Sequence, residues 1–370
     1  MFQPLIEQEE LKSVQQALTS GWLGVGSYMD EGSYVHQFEQ KIKHIINAPK
    51  SHVGAVSTGH AALHLGLLIA GVGAGSEVIT ASLNNIADFQ SILATGATPV
   101  FCDIDETTLC IDLDKASQLV THKTKAIIVM DYACHLCDHK QVAAFSQRHN
   151  LRVIHDAAHS FGAQYQNQMV GSFSDITMFS FDAAKALTCI DGGALILNSQ
   201  KELETLHELR LMGKTSSRGK YDIQRLGYRY HLANPHAAIG LAQLAKLPDI
   251  IDSRVRACRY YSDRLSKLSQ IITPKTYFDN VNPFIYPIRV PSDRRDDLRR
   301  YLNQKGIETG VSWEPGHHFT LFKESRRGDM SVTEQVGREI LLLPLHSMMK
   351  KHLQDKTINE IVSFFQDEAC

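Results

Sequence analysis

At 370 residues, with 43% hydrophobic and 21% charged residues, the chain has material for a large core and the composition of an ordinary globular protein. Its formal net charge of −2 gives no reason to propose a nucleic-acid or membrane surface. No basic start followed by an apolar core reads as a signal peptide, and no apolar run reaches membrane-spanning length, so the expected setting is cytoplasmic. The seven cysteines, unevenly spaced, fit reduced thiols. Cys134 and Cys137 have metal or redox spacing, but no second CxxC completes a structural zinc site, and no metal is expected.

Strand-like and helix-like segments alternate to about residue 250, with no repeat, low-complexity tract or long linker, which argues for an α/β layer structure. Residues 7–19 predict an amphipathic helix with Leu11, Val14, Gln15 and Leu18 on one side, stopping at Gly21. GWLGVG (21–26) and VHQFEQKI (35–42) follow. In VGAVSTGHAALHLGLLIAGV (53–72) an apolar strand breaks at Ser57-Thr58-Gly59 and a helix begins, with Ala62, Leu65 and Ile69 as its buried stripe. Free N–H groups at a helix start, beside a glycine that permits close approach, suit a phosphate. Read alone, the stretch is a plain strand-to-helix turn. A strand at 77–80, a helix at 85–94 and a strand at 98–102 come next. A β-branched run at 124–130 predicts a buried parallel strand, followed by a loop at 131–138 and a helix at 139–149.

Residues 151–198 carry the chemistry. Apolar runs at 151–154, 176–181 and 194–197 have strand length and turn-rich boundaries. Asp156 follows VIH, and Lys185 follows FSFDAA ahead of an Asp-Gly-Gly turn. Strand ends in α/β sheets present their side chains to a ligand. An acid and a lysine so placed suit pyridoxal phosphate: the amine condenses with the cofactor aldehyde, and the carboxylate holds the pyridine nitrogen protonated. Taken singly, either residue is an ordinary strand-end or loop residue.

Together, VIHDAAHSFGAQYQNQMVGSFSDITMFSFDAAKALTCIDGG resembles the hallmark VIEDAAQ…GAxYxGxxVGxxGDxxxFSFxxxKxLxxxxGG of the DegT/DnrJ/EryC1/StrS family of sugar aminotransferases. The resemblance runs through residues 5–366. GWLGVG and VHQFEQKI resemble the family's opening SGWLxxGxxVxxFE, so Trp22 and Leu23 are expected at the substrate. STGHAAL resembles the phosphate loop SSGTAAL, which implies cofactor contacts from Thr58, Gly59 and His60, the histidine replacing a threonine. GSEVITASLNNIADFQSILATGATPVFCDIDETTLCID resembles GDEVIxPxxTFxATxxAxxxxGAxPVFxDIDxxTxxID. There Asn85 replaces an aromatic ring that stacks on the cofactor; only a planar amide is left to lie over it. LGYRYHLANPHAAIGLAQLAKL (226–247) resembles GxNYRMxxxxAAxGLxQLxxL, with Arg229 at the asparagine that reaches the neighbouring subunit's cofactor phosphate. A guanidinium fork suits phosphate oxygens.

Beyond a long helix at 249–268, four prolines surround a strand at 284–290. A helix at 294–304, the loop SWEPGHHF (312–319), an apolar run at 340–345 and a helix at 357–365 complete a small α/β domain. The loop resembles the family's histidine-bearing loop, so His317 and His318 are expected to face substrate; no third ligand type stands at metal spacing. The resemblance implies an aspartate-aminotransferase-like fold (fold type I): a large domain, 1–248, around a mixed, mainly parallel sheet, and a small C-terminal domain, 249–370. It implies a homodimer with shared active sites and transfer of an amino group, with glutamate as donor, to a keto sugar. Lys185 is then the imine-forming lysine and base, and Asp156 the ring-nitrogen partner. His159, in place of a glutamine, is the partner of the phenolic oxygen, and Ser180 is a phosphate ligand. Relatives that dehydrate sugars carry histidine at the lysine position, and Lys185 argues against that reaction. Two other readings stay open: an oxidised eight-carbon Kdo-type acid as acceptor, and a pyridoxal-phosphate-binding regulator without turnover. No helix-turn-helix with a basic face supports the latter.

Overall fold

The computed structural model describes residues 3–23, 32–217 and 220–366. It begins with α1 (Gln8–Thr19), α2 (Tyr34–Ile45), β1 (His52–Val56), α3 (Gly59–Ile69), β2 (Glu77–Ala81), α4 (Ile86–Ala94) and β3 (Thr98–Cys102). Then come α5 (Leu113–Leu119), β4 (Thr124–Met130), α6 (His139–His149), β5 (Arg152–Asp156), the short pair β6 (Gln164–Tyr165) and β7 (Gln168–Met169), β8 (Ile176–Ser180) and β9 (Gly193–Leu197). The rest is α7 (Gln200–Arg210), the hairpin β10 (Lys214–Ser217) and β11 (Lys220–Ile223), α8 (Asn234–Ala245), α9 (Leu247–Leu265), β12 (Tyr286–Arg289), α10 (Arg295–Gln304), α11 (Ser331–Glu339), β13 (Ile340–Leu343) and α12 (Lys351–Gln366).

Local chemistry sets many of these boundaries. Ser33, Thr58, Asn85, Asp112, Asp138 and Ser199 each accept a backbone N–H from the first turn of the helix they precede. Asn150 closes α6 in the left-handed region at φ 52°.

Seven strands form one sheet in the order β1-β9-β8-β5-β4-β2-β3. Only β9 runs against its neighbours, so the sheet is mixed and mainly parallel, as expected. Its strands are apolar nearly throughout because helices cover both faces. On one face α3 lies over β8 and β9; on the other, α2 and α8 pack together beside β1. A third core joins Ile79, Val100, Ile127 and Val153 of the sheet to Tyr286, Ile288, Leu341 and Leu343 of the antiparallel pair β12–β13 and to the face of α9. Residue 249, where the small domain is expected to begin, lies in the first turn of α9.

Two expectations need correction. The first helix turns its other side inward: Glu10 and Ala17 are buried against α8, while Leu11 and Leu18 are 58% and 54% exposed. The carboxylate of Glu10 tolerates burial because Lys246 Nζ lies 2.6 Å from Oε1 and Gln243 donates to it at 2.8 Å. The last helix starts six residues before the expected 357, at Lys351, held where Gln354 donates to the carbonyl of Ala257.

Candidate active site

The parallel strands end on one edge of the sheet, and β5, β8 and the start of α3 meet there around a cavity of about 420 Å³. Thr58, Gly59, His60, Asn85, Asp156, Ser180 and Lys185 line it together, so the structure gathers residues from three separate sequence motifs.

Asp156 is the last residue of β5 and is 2% exposed; its Oδ1 accepts the N–H of Ala158 at 2.9 Å. Burial pushes this carboxyl above its ordinary value, and the neighbouring Lys185 and His155 pull the other way. Lys185 follows β8 in the loop to β9. Enclosure of its amine lowers its pKa, against the attraction of Asp156, Asp182 and Asp88, and Nζ lies 4.3 Å from the ring centroid of Phe284. A lysine so enclosed gives up its proton more readily than one in water.

His159 is 4% exposed. The N–H of Ala133 donates to its Nδ1 at 3.1 Å, which places the imidazole hydrogen on Nε2. That Nε2 is buried with no hydrogen-bond partner. Burial, reinforced by Lys185, holds His159 well below the usual histidine range, so the ring is neutral. Trp313 stacks on it at 5.5 Å and Phe284 approaches to 4.3 Å between ring centroids. The result is a fixed, neutral donor awaiting an acceptor.

At the start of α3 there is no room for a side chain on Gly59, nor on Gly193 of β9 facing it. A Cβ on Gly59 would stand 2.7 Å from Ser180 Cβ, and one on Gly193 only 2.4 Å from the carbonyl oxygen of Thr58. Thr58 spends its hydroxyl oxygen on the helix, accepting the N–H of Ala61 at 2.8 Å. Asn85 likewise caps α4, accepting from Ala87 at 2.9 Å, while still lining the cavity. A compact anion against this helix start meets backbone N–H groups and the positive end of the helix dipole. A lysine amine, an acceptor for a ring N–H, a neutral imidazole donor and an anion cradle make a donor set that fits pyridoxal phosphate.

Other expected residues lie elsewhere. Trp22 and Leu23 are exposed and outside the cavity lining; the Trp22 carbonyl accepts from Asn234 at 2.8 Å. Residues 24–26 of the glycine-rich stretch lie outside the described residues. Arg229 is exposed and does not line the cavity. Neither does His317, whose Nδ1 meets Ser82 Oγ at 2.7 Å, nor the exposed His318, which bonds Glu314. The sequence offers these histidines no third ligand type, yet α11 sets Glu334 within 3.5 Å of His317. Behind the site, Asp131 accepts from His155 at 2.7 Å, His139 at 3.1 Å, Ser160 at 2.7 Å and the N–H of Cys137 at 2.9 Å. Burial alone would raise Asp131, but the two imidazoles outweigh it and hold it well below the carboxylate range. Cys137 and the other five cysteines among the described residues are buried free thiols.

Sequence reasoning missed Phe284, Trp313 and Asp88. The two aromatics come from beyond residue 280 and carry no local signal. Asp88, fully buried on α4, accepts from the Asn84 side chain, and its other carboxylate oxygen has no hydrogen-bond partner among the described residues. An acid in a first helical turn reads as dipole complement. The available signal was its place in GSEVITASLNNIAD, where the quoted family motif has threonine.

Comparison with known proteins agrees with this geometry. The model of the DegT/DnrJ/EryC1/StrS aminotransferase family matches residues 4–362. The spore coat polysaccharide biosynthesis protein SpsC of Bacillus subtilis is 31% identical, over 98% of this chain and 95% of its own. GDP-perosamine synthase of Escherichia coli O157:H7 is 30% identical, over 100% of this chain and 99% of its own. Among solved structures, the PLP-form of Spr1654 from Streptococcus pneumoniae has a TM-score of 0.89 at 26% identity, covering 97% of this chain and 96% of that one.

Proposed function

We propose that this chain, which belongs to the DegT/DnrJ/EryC1/StrS aminotransferase family and is a pyridoxal-phosphate-dependent aminotransferase, moves the amino group of glutamate onto a keto sugar for amino-sugar biosynthesis. The observation that carries the chemistry is the enclosed Lys185 amine sharing one cavity with Asp156 and the start of α3. The acceptor class rests on likeness to GDP-perosamine synthase and to a polysaccharide biosynthesis protein, each over almost the full chain.

When bound, pyridoxal phosphate supplies an electron sink for the pair left behind as a proton departs the carbon bearing the amino group. The protein's own residues do the rest. Lys185 is poised to take that proton on Nζ, since its enclosure favours the neutral amine, and to return it on the other side of the transfer. Asp156 accepts the ring N–H and keeps that position cationic by charge. His159, neutral with its hydrogen on Nε2, donates to the phenolic oxygen. Ser180 and the N–H groups following Thr58 hold the phosphate. His60 reaches the same end of the cavity from an exposed position, and Asn85 lines its wall.

The cavity supports a shared site. Among its described lining residues Lys185 is the one lysine or arginine, whereas Asp156, Asp182 and Asp191 are acids. A phosphate there needs a cation from elsewhere. Arg229 is exposed, with Met212, Ile223 and Leu226 exposed near it in the chain, as a buried dimer face would require. Arg229 of the partner subunit supplies the charge in this reading.

The test loads the enzyme with cofactor, adds glutamate, and follows loss of the cofactor's imine absorbance. Nucleotide-linked 4-keto and 3-keto hexoses and an eight-carbon keto sugar acid are then offered. Recovery of absorbance with an aminated sugar by mass spectrometry is expected. Turnover of glutamate with no sugar accepted would refute the acceptor class.

A further inference from the structure

Two histidines and a glutamate meet outside the cavity and take no part in the chemistry above. One ring nitrogen of His317, one of His318 and a carboxylate oxygen of Glu334 all lie within 4.8 Å of one another. Both elements that carry them are fixed. The short turn Gly316–His318 is pinned to the end of β2, where the N–H of Gly316 donates to the Ser82 carbonyl at 2.8 Å. A Cβ on Gly316 would stand 2.6 Å from the Phe89 ring, so the turn lies flush against α4. The start of α11 is held by Asp103, which accepts the N–H groups of Val332 at 3.1 Å and Thr333 at 2.7 Å. Glu334 is the next residue. His317 is 7% exposed, and its Nε2 is buried without a hydrogen bond. The Glu334 oxygen nearest to it is 3.5 Å away. That is long for an N–H···O bond, yet two ligands about 2.0–2.1 Å from a tetrahedral zinc stand roughly 3.3–3.4 Å apart.

The second nitrogen of each ring already has a partner. His317 Nδ1 lies 2.7 Å from Ser82 Oγ, and His318 Nδ1 lies 2.5 Å from Glu314 Oε1. Ser82 Oγ also accepts the backbone N–H of His317 at 3.3 Å, and its two lone pairs serve both donors. An imidazole that donates its Nδ1 hydrogen to a hydroxyl or a carboxylate presents a basic Nε2 to a metal. Glu334 and Glu314 face the cluster against one guanidinium, that of Arg327, so the surroundings favour a cation. We propose that His317, His318 and Glu334 form a zinc site, each giving one ligand, with water in the fourth position. Two imidazoles and a carboxylate suit zinc, whereas magnesium and calcium require oxygen ligands. The ion ties α11 to the turn 316–318 and, through Ser82, to the stretch that leads into α4 and to Asn85 at the cavity wall. The competing arrangement is a metal-free imidazole–carboxylate pair, with the hydrogen on Nε2 directed at Glu334.

The holoenzyme is stripped of metal with a chelator, and zinc is titrated in against a competing indicator dye. One zinc per chain is expected, with no competition from magnesium. His317→Ala, His318→Ala and Glu334→Gln should each bind it about tenfold or more weakly. Zinc should raise the Tm of the wild type and leave that of Glu334→Gln unmoved. X-ray absorption at the zinc edge should show nitrogen and oxygen ligands alone, which separates this site from the buried thiols of Cys134 and Cys137. A wild type that takes up no zinc, a shell containing sulfur, or variants that bind like the wild type would overturn the proposal and leave the metal-free pair. His317 is buried, so its variant is the one at risk of not folding. In that case His318→Ala and Glu334→Gln, at half-exposed positions, decide alone.

Discussion

Lys185 and Asp156 perturb one another across the cavity. Burial pushes the amine down and the carboxyl up, and each partner's charge resists the other's shift. The pair is most useful if Asp156 keeps its charge, because a neutral group cannot hold the ring proton electrostatically. Asp156→Asn should therefore leave cofactor binding detectable but slow the glutamate half-reaction by about a hundredfold or more in stopped-flow absorbance. A near-normal rate would free Asp156 of this role. At the same scale, His159→Phe keeps a ring between Phe284 and Trp313 but removes the Nε2 donor. It should weaken pyridoxal phosphate binding by about tenfold with little change in Tm; unchanged binding would mean that the orphaned nitrogen serves another partner. That Lys185, Asp156, Ser180 and Gly59 share one cavity was legible because they belong to short motifs. Phe284 and Trp313 were not, since only the fold brings them from beyond residue 280 to the ring of His159.

Among the elements, the turn into α3 is the most tightly constrained. A Cβ on Gly193, at the start of β9, would stand 2.4 Å from the Thr58 carbonyl oxygen, so any side chain must displace that backbone. Gly193→Ala should cost about 1–3 kcal/mol of stability in denaturant unfolding and should weaken cofactor binding along with it, because the displaced backbone is the proposed phosphate cradle. Unchanged stability and binding would show that the turn yields freely. Elements with local signals were readable from sequence: α6 runs from the Asp138 cap to Asn150, and its ends match the expectation. The inward side of α1 was not readable. Periodicity favours Leu11 and Leu18, but Glu10 is drawn inside by Lys246 and Gln243, more than 230 residues away in the chain. The outward leucines are then available to another surface.

For the whole molecule, the proposed shared site turns on Arg229, which is exposed and lies outside the lining of its own subunit's cavity. Arg229→Ala should weaken cofactor affinity without harming the chemistry of its own subunit's lysine. Mixing Lys185→Ala with Arg229→Ala subunits under exchange, at limiting cofactor, tests this. If the two residues serve different sites, each mixed dimer has one doubly defective site and one intact site, and activity rises above both parents. If they serve the same site, no intact site forms. Failure to recover activity, with exchange verified independently, would place Arg229 in its own subunit's site or in neither.

Every role assigned to the cavity depends on Lys185 being the amine that carries the cofactor and moves the proton. Borohydride reduction of the cofactor-loaded protein, followed by digestion and peptide mass spectrometry, tests it most directly. The reduced cofactor is expected on the peptide containing Lys185, with no trapped adduct in a folded Lys185→Ala protein. Recovery of the cofactor on a different lysine of the wild-type chain would contradict it.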